Sequence, residues 1–582
     1  MSYRKKLIEV ALPLEAIDVA CKADKDRKTG TIRNLHKWFA PMPVPAWRAL
    51  LFAALVDDPV DPSERGRLRR LIEDLVASGP DAPPEHVLST ARAEILRSNP
   101  DGLPTILDPF CGGGSTLVEA QQLGLPVQGS DLNPVPALIS RTLSDLVPAA
   151  LHSSSVGGST ERLTRMSVSD LSADVIRYAQ DVGQRVHATI APMYPSVPGR
   201  GVPYAWLWTR TALCPNPSCR LRTPLVTSWC LSAKRGSETF ARPMIGDDSV
   251  RFEVTTDAST VPPDPKIGRA SFSCVRCQTI LTTDYLRRAA RDGELAEQLL
   301  AIAAVDGKSR TFVEPTPEHE CALDLQVDIE PFLRIPVARG ALGIQVPLWG
   351  METQSDMYLP RQVKALTAFA NEAADVYRTC LNDGLSQAHA LVVATTIGLA
   401  VSRLAMHNSK QVKWFTRNGP SKADPALREA NLPFIWTFVE TNPFGGSVGD
   451  WLQVVKTTVR AFDALPRLAE PAQVSMRDAR SVATSLNGSS YLVATDPPYF
   501  GHIGYADLSD YFYVWLRHSL RDVHPDLFET MAAPRSGELV ANPARHDGNE
   551  NAARDDFDRG VPQDRLEDAL DGRPCGDGVS AG

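Results

Sequence analysis

Two aspartates flank a glycine-rich turn in residues 105–131, and their spacing suits the binding of a charged ligand. A short aliphatic strand is predicted to end in Asp108, and three consecutive glycines follow at 112–114. An amphipathic helix is predicted over 115–124, and a second strand ends in Asp131. In strand–turn–helix–strand units the carboxyl ends of the strands bind nucleoside-bearing ligands, so both carboxylates are candidate ligand contacts.

The ligand that best suits these carboxylates is S-adenosylmethionine. The turn lacks the G-x-G-x-x-G spacing of dinucleotide binders, and no G-K-[ST] follows it, so neither phosphate-binding motif is supported. Asp108 would repel a pyrophosphate but would attract the ammonium group of a methionine moiety. Asp131 suits ribose hydroxyls. A glycine-rich turn that binds no ligand is the alternative.

A second acidic motif lies far downstream. The apolar strand predicted at 491–495 leads directly into Asp496-Pro497-Pro498-Tyr499. Four residues alone are a weak signal, because proline-rich turns are common. Their position after a strand, in a chain that carries the first motif, makes the signal strong.

Both motifs resemble those of DNA amino-methyltransferases. DPFCGGGST (108–116) is similar to their cofactor motif DPFxGxGT, and DPPY is similar to the catalytic motif of the enzymes that act on adenine N6 or cytosine N4. The resemblance implies that an upstream segment around His36, Lys37 and Trp38 covers the methionine end of the cofactor; a tryptophan buried at a helix entry is the alternative. It also implies that Asp478, at the end of another strand, bonds the adenine amino group of the cofactor. The implied cofactor-binding residues are Asp108, Pro109, Phe110, Gly112, Gly114, Asp131, Asp478 and Trp38, and the implied catalytic residues are Asp496, Pro497, Pro498 and Tyr499.

The reaction that the resemblance implies is direct methyl transfer to an exocyclic amine of a flipped base. Asp496 and the Pro497 carbonyl would orient the amine, and Tyr499, with help from Phe500, would stack on the base. Adenine N6 is preferred over cytosine N4 because DPPY is more often associated with adenine. Cytosine C5 chemistry is disfavoured, because the one Pro-Cys pair, Pro574-Cys575, lies in an acidic tail.

Four cysteines predict a metal site. Cys214 and Cys219 form one pair and Cys274 and Cys277 a second, whereas the other cysteines are scattered singly. Four thiolates give a closed tetrahedral zinc site, and closed sites are structural, so a zinc ribbon is predicted. Four unrelated reduced cysteines are the alternative. Cys230 is predicted to be a core thiol.

Composition is that of an ordinary globular protein of several domains, with 43% hydrophobic and 22% charged residues. No run of 18 apolar residues and no signal-peptide pattern occurs, so we expect a cytoplasmic protein with no membrane association. Of the net charge of −8, the segment 545–582 supplies −5, since it has five arginines and ten acidic residues. Nucleic-acid binding would therefore depend on local basic patches.

Basic residues cluster in two places. One set near the cysteines would suit phosphate contacts, and a solvated charged surface explains it equally well. A second set surrounds the aromatic pair Trp414 and Phe415, a pattern that can hold phosphates and stack an unpaired base; an ordinary amphipathic segment is the alternative. The first set is Arg200, Arg210, Arg220, Arg222, Lys234 and Arg235, and the second is Arg403, His407, Lys410, Lys413 and Arg417. The G-x-S-x-G pattern at 445–449, typical of a hydrolase nucleophile elbow, is attributed to chance.

Taken over residues 3–545, the chain resembles prokaryotic adenine-specific DNA methylases that carry an inserted zinc ribbon. Besides the motifs above, the resemblance depends on KLIEVALPLEAID, SDLNPV, LPRQVKAL, HNSK, ETNPF and the sequence TDPPYFGHIGYADLSDYFYVWLR. It implies an α/β fold: a Rossmann-like methyltransferase sheet interrupted by a large insertion with a zinc ribbon and a helical region. The expected segments are 1–60 covering the cofactor, 61–150 binding it, 151–290 with the zinc ribbon, 291–465 mainly helical and recognising the target, 466–540 carrying DPPY, and 541–582 as a disordered tail.

The implied function is S-adenosylmethionine-dependent methylation of adenine N6 in DNA, within a restriction or phage-defence system and with partner subunits from it. Beyond residue 541 apolar periodicity is lost, so the chain resembles a family member cut short, and we expect it to be weak or inactive alone. Two alternatives remain open: an RNA base methyltransferase, and a truncated DNA-binding fragment that transfers nothing.

Overall fold

The structure is a computed structural model that describes residues 4–153, 167–307, 309–416, 421–427, 430–466, 469–482, 490–501 and 503–560. It has a mixed α/β fold with one parallel sheet and several antiparallel ones. The helices are α1 Leu14–Asp26, α2 Val44–Leu55, α3 Pro62–Ala77, α4 Glu85–Ser98, α5 Ser115–Gln122, α6 Pro134–Arg141, α7 Val147–Ser153, α8 Val168–Ile190, α9 Thr283–Arg291, α10 Pro317–Glu320, α11 Pro360–Ala374, α12 Val376–Asn382, α13 Gln387–His407, α14 Trp451–Val459, α15 Tyr505–Leu520 and α16 Glu550–Gly560. The strands are β1 Thr105–Asp108, β2 Val127–Asp131, β3 Val202–Leu213, β4 Arg222–Pro224, β5 Cys230–Ser232, β6 Thr239–Ile245, β7 Val250–Thr255, β8 Phe272–Ser273, β9 Ile280–Leu281, β10 Ala296–Asp306, β11 Ser309–Val313, β12 Val412–Phe415, β13 Lys422–Pro425, β14 Thr437–Thr441, β15 Gln473–Met476 and β16 Tyr491–Val493.

The parallel sheet has the strand order β15-β2-β1-β16, so it joins strands from both ends of the chain. Helix α5 packs closely on it at Gly129, where a Cβ atom would lie 2.6 Å from Leu117 Cδ1, so a side chain there would force Leu117 to move. The predicted strands and helix of residues 105–131 are confirmed, as are the strands that precede Asp478 and Asp496.

Helices α1 to α4 cover one side of this sheet together with α5, and they share one apolar core with it. Arg48 of α2 donates two hydrogen bonds to Glu119 of α5, at 2.7 and 3.1 Å, and both side chains are buried. Such a pair is costly to break, because loss of either side chain would leave the other as an uncompensated buried charge. It fixes the N-terminal helices on the sheet.

Helix α13 is the central helix of the other side, where it packs against α11 and α15. It is the one helix of the described residues that is long and apolar enough to cross a membrane, and 83% of its apolar window is buried inside the fold. That burial is the behaviour of a core helix.

A larger antiparallel sheet has the order β11-β10-β3-β14-β12-β13, with β4 paired to β3. The segment 291–465, which is expected to be mainly helical, contains helices α10 to α14 and also contributes strands to this sheet. Five of these strands come from 291–465, and they pair around β3 of the preceding segment. The apolar run 299–304 has no helical or strand periodicity of its own, and pairing with β3 decides its conformation.

The beginning of the expected disordered tail also differs from the expectation. Residues 541–560 are described, and they contain a short 3₁₀ turn and helix α16. Arg545 forms ion pairs with Asp507 (2.8 Å) and Glu538 (2.5 Å), which anchor this segment on α15. Charged residues that predict disorder by their abundance form specific ion pairs in this segment. Residues 561–582 lie outside the described residues.

Candidate functional site

The two acidic motifs meet at the carboxyl end of the parallel sheet. Strand β1 pairs with β2 on one side and with β16 on the other, so the aspartates that follow these strands face the same region. The Thr495 hydroxyl donates to Asp108 Oδ1 at 2.6 Å, across 387 residues of sequence. A direct hydrogen bond thus links the segment before DPPY to the glycine-turn motif.

One pocket at this edge is lined by most of the residues that the sequence predicted. They are Trp38, Asp108, Pro109, Phe110, Gly112, Asp131, Asp478, Asp496, Pro497, Pro498 and Tyr499. Gly114 is the exception, because it does not line the pocket. It adopts φ +81° at the start of α5 and lies against Ser140, where a Cβ atom would be 3.1 Å from the hydroxyl oxygen. Its role in the structure is to permit the turn.

The glycine turn holds the carboxylate of Asp131 in place. The backbone N–H of Gly112 donates to Asp131 Oδ2 at 3.1 Å, and that of Asn133 donates to Oδ1 at 2.9 Å. Gly112 has φ +50°, and a Cβ atom there would lie 3.1 Å from Nε1 of Trp38. A side chain at this position would therefore strain the backbone and push Trp38 out of the pocket wall.

Burial makes the carboxylates of this pocket weaker acids. It raises the pKa of Asp131 to about 7, against the hydrogen bonds from Asn133 and Gly112. It raises the pKa of Asp108 to about 6, against those from Thr495, Thr116 and Phe110. The pKa of Asp496 is also raised by burial. These acids share a confined space, so a cationic ligand would favour their ionised forms.

An aromatic pair forms a second wall of the pocket. Trp38 is buried, and its ring stacks on that of Tyr505 with centroids 5.5 Å apart and planes 20° apart. Tyr505 is the first residue of the aromatic helix α15 and was not predicted as a site residue. Its pKa is raised by burial and by the nearby charges of Asp496 and Asp131. An aromatic at the start of the helix after DPPY is the signal that could have identified it.

His36 is too deeply buried to contact a ligand. Its ring is buried, with Nε2 3.0 Å from the Ser402 hydroxyl and an edge contact to Phe512. Burial lowers the pKa of His36 to about 3, so the ring is neutral. His36 therefore positions the segment that carries Trp38 against α13 and α15.

The DPPY motif is open to solvent on its outer side. The Tyr499 hydroxyl lies 3.2 Å from each carboxylate oxygen of Asp496 and donates to it. Tyr499 and Phe500 are 50% and 48% exposed. Large exposed aromatics next to a pocket can accept a planar ligand by stacking. Phe500 already contacts Phe557 of α16, with ring centroids 5.3 Å apart.

Asp478 reaches the pocket but already has a partner. The guanidinium of Arg480 donates to both of its carboxylate oxygens, at distances from 2.6 to 3.1 Å. Gly537 closes over this pair, since a Cβ atom there would lie 2.9 Å from Asp478 Oδ2. Sequence reasoning did not predict that the segment after α15 would contribute to the site.

That segment contributes Pro534, Gly537, Glu538 and Leu539 to the pocket lining. Glu538 is buried, accepts a hydrogen bond from the backbone N–H of Ala506 at 2.7 Å, and pairs with Arg545. Burial raises its pKa. No sequence signal marked Glu538, because its place in the site depends on a chain path that returns to the sheet.

The four paired cysteines form a second site. Their sulfur atoms all lie within 4.8 Å of one another and could hold a metal ion. Sγ of Cys214 is 3.5 Å from that of Cys277, and Sγ of Cys219 is 3.8 Å from that of Cys274. The residue after each pair, Arg220 and Gln278, has positive φ, so the two turns have matching backbones. Cys230 lies in β5 and is not a member of this cluster.

Three of the basic residues predicted to contact nucleic acid are instead engaged inside the fold, which corrects that expectation for Arg210, Arg403 and Lys410. Arg210 and Lys410 both pair with Glu297, at 3.1 and 2.9 Å. Arg403 is buried and donates to the carbonyl oxygen of Asn34. Trp414 donates its indole N–H to the Leu231 carbonyl at 2.7 Å. Arg417 lies outside the described residues.

The G-x-S-x-G segment is a turn between β14 and α14. Asp450 caps α14 by accepting from the Gln453 backbone, and Gly449 packs on Thr441, where a Cβ atom would lie 2.3 Å from the hydroxyl oxygen. These contacts account for the glycine and acid without a nucleophile.

Comparison with known proteins gives one match. Residues 11–72 match a family described as a protein of unknown function, DUF1156. The matched stretch runs from the approach to α1 into α3 and includes Trp38 of the pocket wall. No curated protein and no solved structure matches the chain.

Proposed function

We propose that the chain is an S-adenosylmethionine-dependent DNA amino-methyltransferase that modifies adenine N6. The observation that supports this most is the hydrogen bond from Thr495 to Asp108, because it brings the DPPY aspartate and the glycine-turn carboxylates to one pocket. A cofactor site and an amine-orienting acid are both needed for this reaction, and here they are adjacent.

The donor set suits this cofactor better than a phosphate-bearing one. Asp108, Asp131 and Glu538 give the pocket an anionic lining, which favours a ligand with a sulfonium and an ammonium group. Asp131 is held by two backbone N–H groups with its oxygens fixed, as the binding of ribose hydroxyls requires. Trp38 and Tyr505 supply an aromatic wall for the cationic end.

When bound, S-adenosylmethionine supplies an electrophilic methyl group. Asp496 and the Pro497 carbonyl accept hydrogen bonds from the exocyclic amine and direct its lone pair to the methyl carbon. The amine nitrogen would gain the methyl group as the cofactor's S–C bond is broken, and the amine would then lose a proton. Asp496, whose pKa is raised by burial, is placed to accept it. Tyr499, half exposed, stacks on the flipped base.

The four cysteines are proposed to bind a structural zinc ion. Tetrahedral zinc–thiolate sites with bonds near 2.3 Å place sulfur atoms about 3.8 Å apart. The measured separations of 3.5 and 3.8 Å fit that geometry. All four positions are protein ligands, so the ion would hold the chain and take no part in methyl transfer.

The test is transfer of labelled methyl from S-adenosylmethionine to unmethylated duplex DNA, with Asp496→Ala alongside. We expect label in N6-methyladenine and its loss in the variant. Asp18→Ala, at an exposed position of α1, is the matched control and should keep wild-type transfer. Label in RNA but not in DNA would replace the proposed substrate. Cofactor binding without transfer to either would favour a DNA-binding chain that transfers nothing.

A further inference from the structure

A wide groove separates the antiparallel sheet of β3 and β11 from the three-stranded sheet of β5, β6 and β7. It has a volume of about 1010 Å³. Its lining comes from the chain before β3, from β3 itself, from the β5–β6 loop and from β11. It shares no lining residue with the carboxylate pocket.

Three cations from separate segments line this groove. Arg200 precedes β3, Lys234 lies on the β5–β6 loop and Arg310 lies on β11, and all three are exposed. None of them forms a salt bridge with any residue that the structure describes. Glu314 is the one acid of the lining, and its carboxylate accepts a hydrogen bond from the Val254 backbone at 3.3 Å. The groove is thus locally cationic in a chain of net charge −8.

The floor of the groove is aromatic and fixes one of the cations. The Arg310 guanidinium lies 5.3 Å from the ring centroid of Tyr204 and donates to the Ser421 carbonyl at 3.4 Å. Phe312, two residues along β11, packs edge-on against Trp414 with centroids 6.0 Å apart. A guanidinium held on an aromatic face loses less side-chain entropy on binding an anion than a free one.

Hydroxyl groups complete the lining. Ser237, Thr239 and Thr311 stand among the cations and can donate to phosphate oxygens. Uncompensated cations, neutral donors and aromatic rings along an extended groove are the components that bind a phosphodiester strand.

We propose that this groove binds the phosphate backbone of the DNA on which the chain acts. The proposal rests on the proposed function, since it assigns the surface that holds the polymer whose base enters the carboxylate pocket. It also accounts for DNA binding by a chain with a net negative charge: the anionic pocket binds the cationic cofactor, and the groove binds the polyanion.

The experiment measures binding of the full chain to a labelled DNA duplex over a series of salt concentrations. The variant is Arg200→Ala/Lys234→Ala/Arg310→Ala. The matched control removes three exposed cations of α11, of α14 and of the turn that follows α14, as Lys364→Ala/Lys456→Ala/Arg460→Ala. The slope of log K against log salt is negative, and each lost phosphate contact reduces its magnitude by about 0.9. The slope of the groove variant should therefore be smaller in magnitude by roughly 2 to 3 units. The control should keep the wild-type slope.

Cofactor binding by the groove variant checks that it is folded, since the carboxylate pocket is intact in it. If the triple variant does not fold, the single variant Lys234→Gln, on an exposed loop, should reduce the magnitude of the slope by about one unit. A slope equal to that of wild type in either folded variant overturns the proposal, as does tighter binding of an acidic polypeptide than of DNA.

These outcomes are separable from the fate of the proposed function. Methyl transfer by the chain, together with a salt slope that is unchanged in the groove variant, would overturn only the proposal that the groove binds DNA. A reduced slope in a chain that transfers no methyl group to DNA would support the groove and overturn the proposed function.

Discussion

At the carboxyl end of the parallel sheet, Asp108, Asp131 and Asp496 face one pocket, whereas Arg200, Lys234 and Arg310 face the groove between the antiparallel sheets. The acids follow three adjacent parallel strands, so the sheet itself brings them together. The cations come from loops and strand ends that are distant in sequence. Buried cations of the same region are neutralised, as Arg361 is by Glu440 at 2.8 Å.

The difference concerns how charge can be concentrated in a protein. Carboxylates can share a buried pocket because protonation relieves the cost of burying their charge, and this burial is the main reason that their pKa values rise. Arginine has no such relief near neutral pH, so its free charges stay at the surface. The pocket is therefore expected to respond to pH and the groove to salt. This division between pocket and groove can be tested by substitution, by metal removal and by titration.

The largest effect is expected at Asp496. Asp496→Asn keeps the shape of the side chain but removes the acceptor charge that orients the amine, so we expect kcat for methyl transfer to fall roughly 100- to 1000-fold. Single-turnover transfer to duplex DNA measures this. Cofactor and DNA affinities should stay within about threefold of wild type, since neither the cofactor carboxylates nor the groove is altered. An equal loss of cofactor affinity would show that Asp496 acts in binding.

Removal of the metal should affect the groove more than the pocket. The segment 220–273, which carries Lys234 and the β5–β7 sheet, lies between the two cysteine pairs, so the proposed ion holds both of its ends. Cys274→Ser should abolish stoichiometric zinc and weaken DNA binding by about tenfold, because an ordered groove wall is lost. Metal analysis and DNA titration measure the two effects.

The control for this change is Cys230→Ser, outside the sulfur cluster, which should keep both zinc and DNA affinity. Cofactor affinity should be unchanged in both variants. A zinc-free Cys274→Ser chain with full DNA affinity would show that the metal is not needed to order the groove.

The pocket is expected to respond to pH. Asp131 has a pKa of about 7 and Asp108 one of about 6, and Glu538, Tyr505 and Asp496 are the other titratable groups nearby. A cationic ligand favours the ionised carboxylates, so affinity is highest above pH 7 and falls as protons bind below it. Between pH 8 and pH 6 we expect the Kd for S-adenosylmethionine to rise about tenfold. Calorimetry in buffers of different ionisation enthalpy should detect proton release on binding at pH 6.5.

DNA affinity over the same range is the internal comparison. Arginine and lysine stay charged throughout, so groove binding should change little between pH 6 and pH 8 at constant salt. A cofactor affinity that is flat across this range would contradict the assignment of Asp108 and Asp131 as its contacts.

The sequence predicted those parts of the site that depend on local chain geometry. The strand–turn–helix unit of Asp108 and the strand before DPPY are short, are bounded by strong breaks and require no distant partner. The cysteine pairs were readable because two-residue and four-residue gaps restrict the thiols directly. That these residues bind a cofactor and a metal stays a prediction.

The rest depends on contacts that only the folded chain makes. Glu538 is held at the pocket by the backbone N–H of Ala506, 32 residues earlier, and Tyr505 by stacking on Trp38, and neither partner is near in sequence. The apolar run in β10 suited a helix and a strand equally until β3 paired with it. Arg210 and Lys410 read as surface cations, because a buried Glu297 between them leaves no mark in a linear pattern.

The smallest effect is expected at the ion pair between Asp478 and Arg480, where the pocket contains its own competitor. Both carboxylate oxygens of Asp478 accept from Arg480, so an adenine amino group must displace or share that guanidinium. A partly exposed pair is worth up to about 1 kcal/mol, so Arg480→Ala should tighten S-adenosylmethionine binding roughly two- to fivefold. The gain should vanish when Arg480→Ala is made in an Asp478→Ala chain, because no acceptor then remains to be freed. Weaker binding in Arg480→Ala alone would mean that the guanidinium positions Asp478 for the adenine instead of competing with it.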